Sequence, residues 1–183
     1  MENSRKSACD LAGRVAGLLA PVVARNSSIL LGLSGGIDSV VLLHLLHQLA
    51  PRFSWQLSAL HVHHGISADA DSWADFCRDL CVHYGIPYQL EKVDLKPLRD
   101  QGIEAAARKL RHAALTRQST DFIALAHHQD DQAETLLLQL LRGAGVRGAS
   151  SMPMIRNRPN HPVQLRPLLN VTRQELLVYA QQY

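Results

Sequence analysis

Residues Ser28-Ile29-Leu30-Leu31-Gly32-Leu33 run directly into Ser34-Gly35-Gly36-Ile37-Asp38-Ser39, and a second apolar run, Val40 to Leu49, follows. The first six residues read as a buried strand and the last run as a helix, so the hexapeptide between them is a strand-turn-helix junction. Such a junction gathers partial positive charge. Gly35 and Gly36 reach backbone angles closed to other residues, so their N–H groups can converge on one point. The helix that follows contributes its unpaired N–H groups and the positive end of its dipole. Ser34 and Ser39 add hydroxyls. Asp38 adds a carboxylate, which phosphates repel unless a cation stands between them, so the loop implies a nucleotide di- or triphosphate with Mg²⁺. No Gly-Lys-Ser/Thr follows the glycines, which excludes a Walker A loop, and no third glycine completes a dinucleotide fingerprint. The structural alternative is an ordinary strand-helix turn.

The rest of the chain is that of an ordinary globular domain. Its 183 residues are 46% hydrophobic and 19% charged, enough for one core. No apolar run reaches the roughly 18 to 20 residues of a membrane span. Leu18 to Val23 is short, follows a Gly-broken amphipathic stretch and shows no cleavage pattern, so no signal peptide is expected. Three cysteines argue against a disulfide framework and for a reducing, cytoplasmic setting. Cys77 and Cys81 lie four apart in a helical segment and read as core or surface thiols, not as a C-x-x-C pair. The formal net charge of +3 permits a polyanion partner without demanding one.

Hydrophobic periodicity gives an alternating series. Helices are expected over Ala8 to Ala24, Val40 to Ala50, Asp69 to Tyr84, Ile103 to Gln118 and Gln129 to Leu141. The helix from Gln129 carries Ala133, Leu136, Leu137, Leu140 and Leu141 along an apolar side. Strands are expected over Ser28 to Leu33, Trp55 to His63, Pro87 to Val93, Asp121 to Ala126 and Val163 to Leu169. Thr172 opens a last helix, with Glu175 at the capping-box position. Strands alternating with helices predict an α/β fold with a doubly wound, mostly parallel sheet flanked by helices. Gly143 to Pro162 is the one long stretch expected to be irregular.

Ligands of such sheets bind beyond the carboxyl ends of the strands. Three strands here end in chemistry: at Ser34 to Ser39, at His61-Val62-His63-His64-Gly65, and at His127-His128-Gln129-Asp130-Asp131. His61 and His63 share a strand face and could ligate a metal, but carboxylates suit Mg²⁺ better than imidazoles do. Arg108 and Arg111, three apart on one helix face, suit the clamping of phosphate or carboxylate, or else form a solvated basic face. The run Leu141-Arg142-Gly143-Ala144-Gly145-Val146-Arg147-Gly148 contains a literal G-x-G-x-x-G. It follows a helix and not a strand, so it reads as a basic turn that touches RNA or substrate through Arg142 and Arg147.

The Ser34 to Ser39 hexapeptide resembles the pyrophosphate loop of the N-type ATP pyrophosphatases, the PP-loop superfamily. The wider series "LGLSGGIDSVVLLHLL", "ALHVHHGIS", "GIEAAARKLRH", "ALAHHQDDQAETLLLQLLRGAG" and "LRPLLNVTRQEL" resembles the tRNA(Ile)-lysidine synthetase family from Leu30 to about Tyr179. The resemblance implies an adenine nucleotide alpha hydrolase-like, Rossmann-like fold. It implies a ligase that uses ATP and free L-lysine to convert the wobble cytidine of tRNA(Ile) with a CAU anticodon into lysidine. ATP adenylates the cytosine C2 oxygen with release of pyrophosphate, and the lysine amine then displaces AMP. His112 stands where the family is expected to carry a tyrosine. Residues 1–183 are expected to form a single catalytic domain that stops inside a helix at Tyr183, without the family's C-terminal tRNA-binding domains. A homodimer is compatible with the resemblance.

Residue roles follow from the chemistry demanded. ATP contacts are expected from Ser34, Gly35, Gly36, Ile37, Asp38 and Ser39, with His61 and His64 from the next strand end. In-line attack on the α-phosphorus needs a held, neutralised triphosphate, so Asp38 and Asp131 are the expected metal-linked carboxylates. Asp130 and Glu134, one helical turn apart, could hold or deprotonate the lysine ammonium, or serve only as partners of the helix dipole. His127 is the expected general base or AMP-phosphate contact. Arg108 and Arg111 would stabilise phosphate or grip the tRNA backbone. The rivals are a tRNA thiolase or GMP synthetase of the same superfamily, a metal phosphohydrolase, and a non-catalytic nucleotide-binding module.

Overall fold

The computed structural model describes residues 10–94, 102–141, 143 and 151–183. In chain order the elements are α1 (Leu11–Leu19), β1 (Ser28–Gly32), α2 (Ile37–Phe53), β2 (Gln56–His63), α3 (Ala70–His83) and β3 (Tyr88–Lys92). There follow α4 (Ile103–Thr116), β4 (Phe122–Ala124), α5 (Gln129–Leu141), β5 (Ile155–Arg156), β6 (Val163–Leu165) and α6 (Arg173–Gln182). The strands form one six-stranded sheet in the order β3-β2-β1-β4-β6-β5. All neighbours pair parallel except β5 with β6. The predicted doubly wound α/β sheet is therefore observed.

β1 is buried on both faces, as a central parallel strand must be. Ile29 and Leu31 belong to a large core with Val41, Leu42, Leu45 and Leu46 of α2, whereas Leu30 joins Leu60, Ala114, Leu115 and Ile123 on the opposite face. α2 is the densest element: Leu42, Leu43, Leu45 and Leu46 are all fully buried, because α1 and α6 cover the side of α2 turned away from the sheet. α6 begins as expected, with a reciprocal capping box between Thr172 and Glu175. Arg14 of α1 pairs with that same Glu175 at 2.6 Å.

Three expectations are corrected. α2 starts at Ile37 and runs past Pro51 to Phe53, so the end of the hexapeptide is already helical. The segment expected to be irregular contains β5, a two-residue antiparallel edge strand too short for a periodicity signal. The strand expected over Val163 to Leu169 stops at Leu165, although its apolar continuation Leu168 and Leu169 is fully buried. The apolar side of α5 also covers nothing among the described residues: no residue of that helix is buried, and Leu137, Leu140 and Leu141 are at least half exposed.

At the opposite end of the sheet from the loops, Asp121 ties β1 to β4. Its Oδ2 accepts from the Ser28 backbone N–H and hydroxyl, both at 2.8 Å, and these bonds lower its pKa from the ordinary 3.8. A carboxyl titrating lower when folded contributes stability above its unfolded pKa and loses it as pH falls through the folded one. Asp121→Asn is expected to lower the melting temperature at pH 7, with the gap to wild type closing below about pH 4. Paired thermal melts between pH 7 and 3 check this.

Candidate functional site

The parallel register Ile29↔Phe122, Leu30↔Ile123, Leu31↔Ala124 sends the chain out of β1 and β4 side by side. β1 continues to β2 on one side and lies against β4 on the other, so the strand order reverses here, where open α/β sheets bind ligands.

The loop after β1 is closed on itself by its serines. Ser39 Oγ donates to the Gly36 carbonyl at 2.8 Å and accepts from the Ser34 N–H at 3.2 Å and the Ser34 hydroxyl at 3.1 Å. Ser39 is buried, so this hydroxyl is the rigid hub of the turn. Gly36 is the N-cap of α2 and supplies no side-chain cap, which leaves the first-turn N–H groups open to an anion. Gly35 adopts φ +87°, and a Cβ there would stand 3.2 Å from Cys77 Sγ of α3. Both the backbone angle and the close approach of α3 require glycine.

His128 organises the loop after β4. Its ring Nδ1 accepts from the Asp130 N–H at 3.3 Å, and its own N–H donates to Asp131 Oδ2 at 2.7 Å. This is a capping arrangement built from histidine and aspartate at the start of α5. With Nδ1 an acceptor, the network assigns the ring proton to Nε2. That nitrogen stands 3.6 Å from Asp38 Oδ2 and 3.7 Å from Asp131 Oδ2, so one buried imidazole joins the two carboxylates from different strand ends. Asp130 lies mostly in solvent, 4.0 Å from His128 Nδ1. α5 is held by polar ties: Gln132 exchanges two bonds with the Met152 backbone, at 2.8 and 2.7 Å, and the Gln129 N–H donates to the Val171 carbonyl.

Arg108, His127, Asp131, Glu134, Thr135, Leu138 and Met152 line a cleft of about 60 Å³. It sets one cation against two carboxylates in a small volume. His127 is half-buried there, with its Nδ1 shut away from water and unpartnered among the described residues. Burial, and then the nearby Arg166 guanidinium, push its pKa down to about 4. Arg166 is itself buried, donating to the Pro153 carbonyl and to Gln164 Oε1, both at 3.0 Å. The amide of Gln164 meets His112 Nε2 at 2.9 Å, so the histidine at the position expected to be tyrosine is a polar link in this network.

On the β2 side, His61 is buried with Nδ1 2.8 Å from the Leu33 carbonyl, an orientation that braces the start of the loop. His63 pairs with Asp71 at 3.1 Å. His64 sits 3.4 Å from Arg111 Nη2, and burial, reinforced by that guanidinium, drops its pKa to about 4. Arg142 and Arg147 lie outside the described residues. Ser34 to Ser39, His127, Asp131, Glu134 and Arg108 thus gather at the ends of β1 and β4, with His61, His64 and Arg111 on the β2 side. The structure adds His128, Arg166 and Gln164, to which the sequence assigns no role. The signal for His128 is its position immediately before an acid-rich helix start, where an N-cap is required.

The whole of residues 9–183 matches the PP-loop domain family. The chain is 48% identical over 164 residues to the tRNA(Ile)-lysidine synthase of Aromatoleum aromaticum, covering 90% of this chain and 38% of that protein. It is 48% identical over 160 residues to the enzyme of the same name from Haemophilus ducreyi, covering 86% and 36%. The chain therefore spans less than two fifths of these relatives' length. Among solved structures it resembles the U34-tRNA thiolase NcsA from Methanococcus maripaludis, with its 4Fe-4S cluster. That match has a TM-score of 0.77 at 25% identity and covers 99% of this chain and 64% of the other. A NAD⁺ synthetase from Burkholderia pseudomallei shares the fold at TM-score 0.55 and 19% identity, covering 97% and 66%.

Two outcomes are expected of this geometry. Gly35→Ala should destabilise the domain by about 1–3 kcal/mol and abolish anion binding at the loop, as denaturant melts and pyrophosphate titration would register. His64 and His127 both titrate near 4, below the ordinary 6.5, so the folded state binds fewer protons than the unfolded one between those values. Stability should therefore fall as pH drops from 6.5 towards 4. Denaturant midpoints measured across that window should flatten in the His64→Gln, His127→Gln double variant.

Proposed function

The chain belongs to the PP-loop domain family, and from that premise we propose that it carries the catalytic chemistry of a tRNA(Ile)-lysidine synthase. ATP would be consumed to adenylate the C2 oxygen of the wobble cytidine of tRNA(Ile), and the amine of free lysine would then replace AMP. The observation that carries the reading is the bridge Asp38–His128–Asp131, which sets two carboxylates from separate strand ends beside an uncapped, glycine-formed anion loop.

The loop suits the triphosphate: rigid, hydroxyl-braced and backed by the open N-terminus of α2. Asp38 Oδ1 is buried and without a hydrogen-bond partner among the described residues, which fits a carboxylate meant for a cation. Among the described residues there is no cluster of three or more His, Cys, Asp or Glu able to enclose a metal by itself. That fits Mg²⁺, which takes one or two carboxylates and completes its shell with phosphate and water. Asp38 and Asp131 would hold the ion, which when bound neutralises triphosphate charge. His128 would orient the two carboxylates from between them, its Nε2 3.6 and 3.7 Å from their oxygens.

The cleft between α4 and α5 suits an amino acid. Arg108 and Glu134 line it with Asp131 around about 60 Å³, so with Asp131 turned to the ion the cleft still offers Arg108 to a carboxylate and Glu134 to an ammonium. Asp130, exposed at the start of the same helix, adds negative charge to this end of the sheet. His127, neutral down to about pH 4, fits the AMP-phosphate contact better than the general base, because the burial that keeps it unprotonated also makes it a weak proton acceptor. Arg111, outside that cleft on the β2 side, would meet nucleotide or tRNA phosphate. The thiolase reading is not favoured. Cys77 and Cys81 are buried in α3 with thiols raised to about 12 and 11, unlike the thiolates a cluster requires.

The test is formation of AMP and pyrophosphate from ATP that depends on both lysine and tRNA(Ile) bearing CAU, read with the mass gain of the tRNA. Asp38→Ala should fold and lose about a hundredfold or more of this activity. Wild-type turnover by that variant at ordinary magnesium would overturn the reading. With a net charge of +3 and few phosphate contacts, tRNA affinity of this chain should be weak and fall steeply with salt.

A further inference from the structure

Trp73 and Phe76 stand beside the phosphate loop with roughly half of their surface in water, 53% and 48% exposed. Aromatic residues make up only 5% of the chain, and Trp55, its other tryptophan, is buried with its indole N–H bonded to the Val23 carbonyl. Trp73, Phe76 and Cys77 share one face of α3, three and four residues apart. Cys77, the buried member, lies against Gly35. The other two continue that face to the surface: Trp73 Cβ and Phe76 Cδ1 are each 3.9 Å from where a Cβ on Gly35 would stand.

Resting on the ATP-binding reading above, we propose that Trp73 and Phe76 form a platform on which the adenine of the nucleotide lies while its phosphates occupy the loop. The acids and the cleft lie on the β4 side of the loop, at Asp38, Asp131 and Glu134. The aromatics lie on the β2 side, where α3 packs on β2 and β3. A nucleotide anchored by its phosphates between them has one apolar, flat moiety to place, and Trp73 and Phe76 offer exposed aromatic surface next to Gly35 of the loop. A base stacking there covers aromatic surface that otherwise stays wet. The covalent tie to the anchored phosphates makes that contact effectively intramolecular.

Trp73 reports on its own site, because Trp55 is sealed in the core. ATP–Mg²⁺ should change Trp73 emission, and inorganic tripolyphosphate, which has no base, should leave it unchanged. Trp73→Ala should weaken ATP about tenfold by calorimetry while tripolyphosphate affinity stays within about twofold, and Phe76→Ala should act in the same direction. Trp73→Phe should keep most of the ATP affinity and lose the signal. If ATP and tripolyphosphate both bind but Trp73→Ala leaves their ratio unchanged, the platform is overturned and the ATP reading stands. The platform is likewise overturned if Trp73→Ala weakens only RNA binding, since the aromatics would then serve the polynucleotide. Failure of the unaltered protein to bind either ligand overturns both proposals.

Discussion

The parallel pairing of β1 with β4 is the constraint on which the site depends. Its register runs only from Ile29↔Phe122 to Leu31↔Ala124, yet it aligns two loops distant in the chain. One loop must open into a helix with free N–H groups, and the other must open into a helix that begins with acids. Placed together they would repel any phosphate or expel each other. His128 stands between Asp38 and Asp131, its Nε2 3.6 and 3.7 Å from their carboxylates. A slip of one residue in β4 would exchange the core that Ile123 fills with the one that Phe122 and Ala124 fill and move His128 away from Asp38 together. Core packing therefore keeps the register, and the register keeps the site.

The two helices at this edge are stabilised in opposite ways. α2 is buried nearly all round, so its position is set by leucines, and its N-terminus can remain uncapped without losing its place. α5 buries nothing among the described residues and is positioned by Gln132, Gln129, His128 and Asp131. A phosphate-binding end benefits from rigidity, because preorganised donors need no rearrangement when charge arrives. A helix that carries the acids of a small cleft, held by a handful of hydrogen bonds, belongs to the part of a fold that opens locally at low cost. Substrate access to the cleft is consistent with that division.

The alternation of apolar runs makes the fold legible without coordinates, since β1 and α2 each carry one unbroken pattern with a glycine turn between. The pyrophosphate loop is legible for the same reason: its conformational demand falls on Gly35 and Gly36, and glycine pairs are visible in a sequence. The edge strand β5 is not, because two residues cannot display a period and its identity comes from pairing with β6. The leucines of α5 mislead, since periodicity reports a face able to be buried and not whether anything lies against it. Among the histidines, the sequence puts candidates at strand ends and singles out His127, leaving His128 without a role. The difference is one of direction. His127 turns into the cleft beside Arg166, whereas His128 turns back to cap α5, and that choice is made by the helix start.

The same choice explains why the site and the helix form together. An N-cap normally devotes its side chain to the helix alone, accepting one orphan N–H. His128 accepts the Asp130 N–H through one ring nitrogen and thereby fixes the proton on the other, so satisfying the helix determines which atom faces Asp38 and Asp131. Serine or asparagine at this position could cap α5 as well or better, but neither could reach from the cap to a carboxylate on a neighbouring loop. Asp131 is bound by the same logic, since the oxygen that accepts the His128 N–H is the one that meets its imidazole. The place of Asp131 beside Asp38 is thus set by the bonds that start the helix.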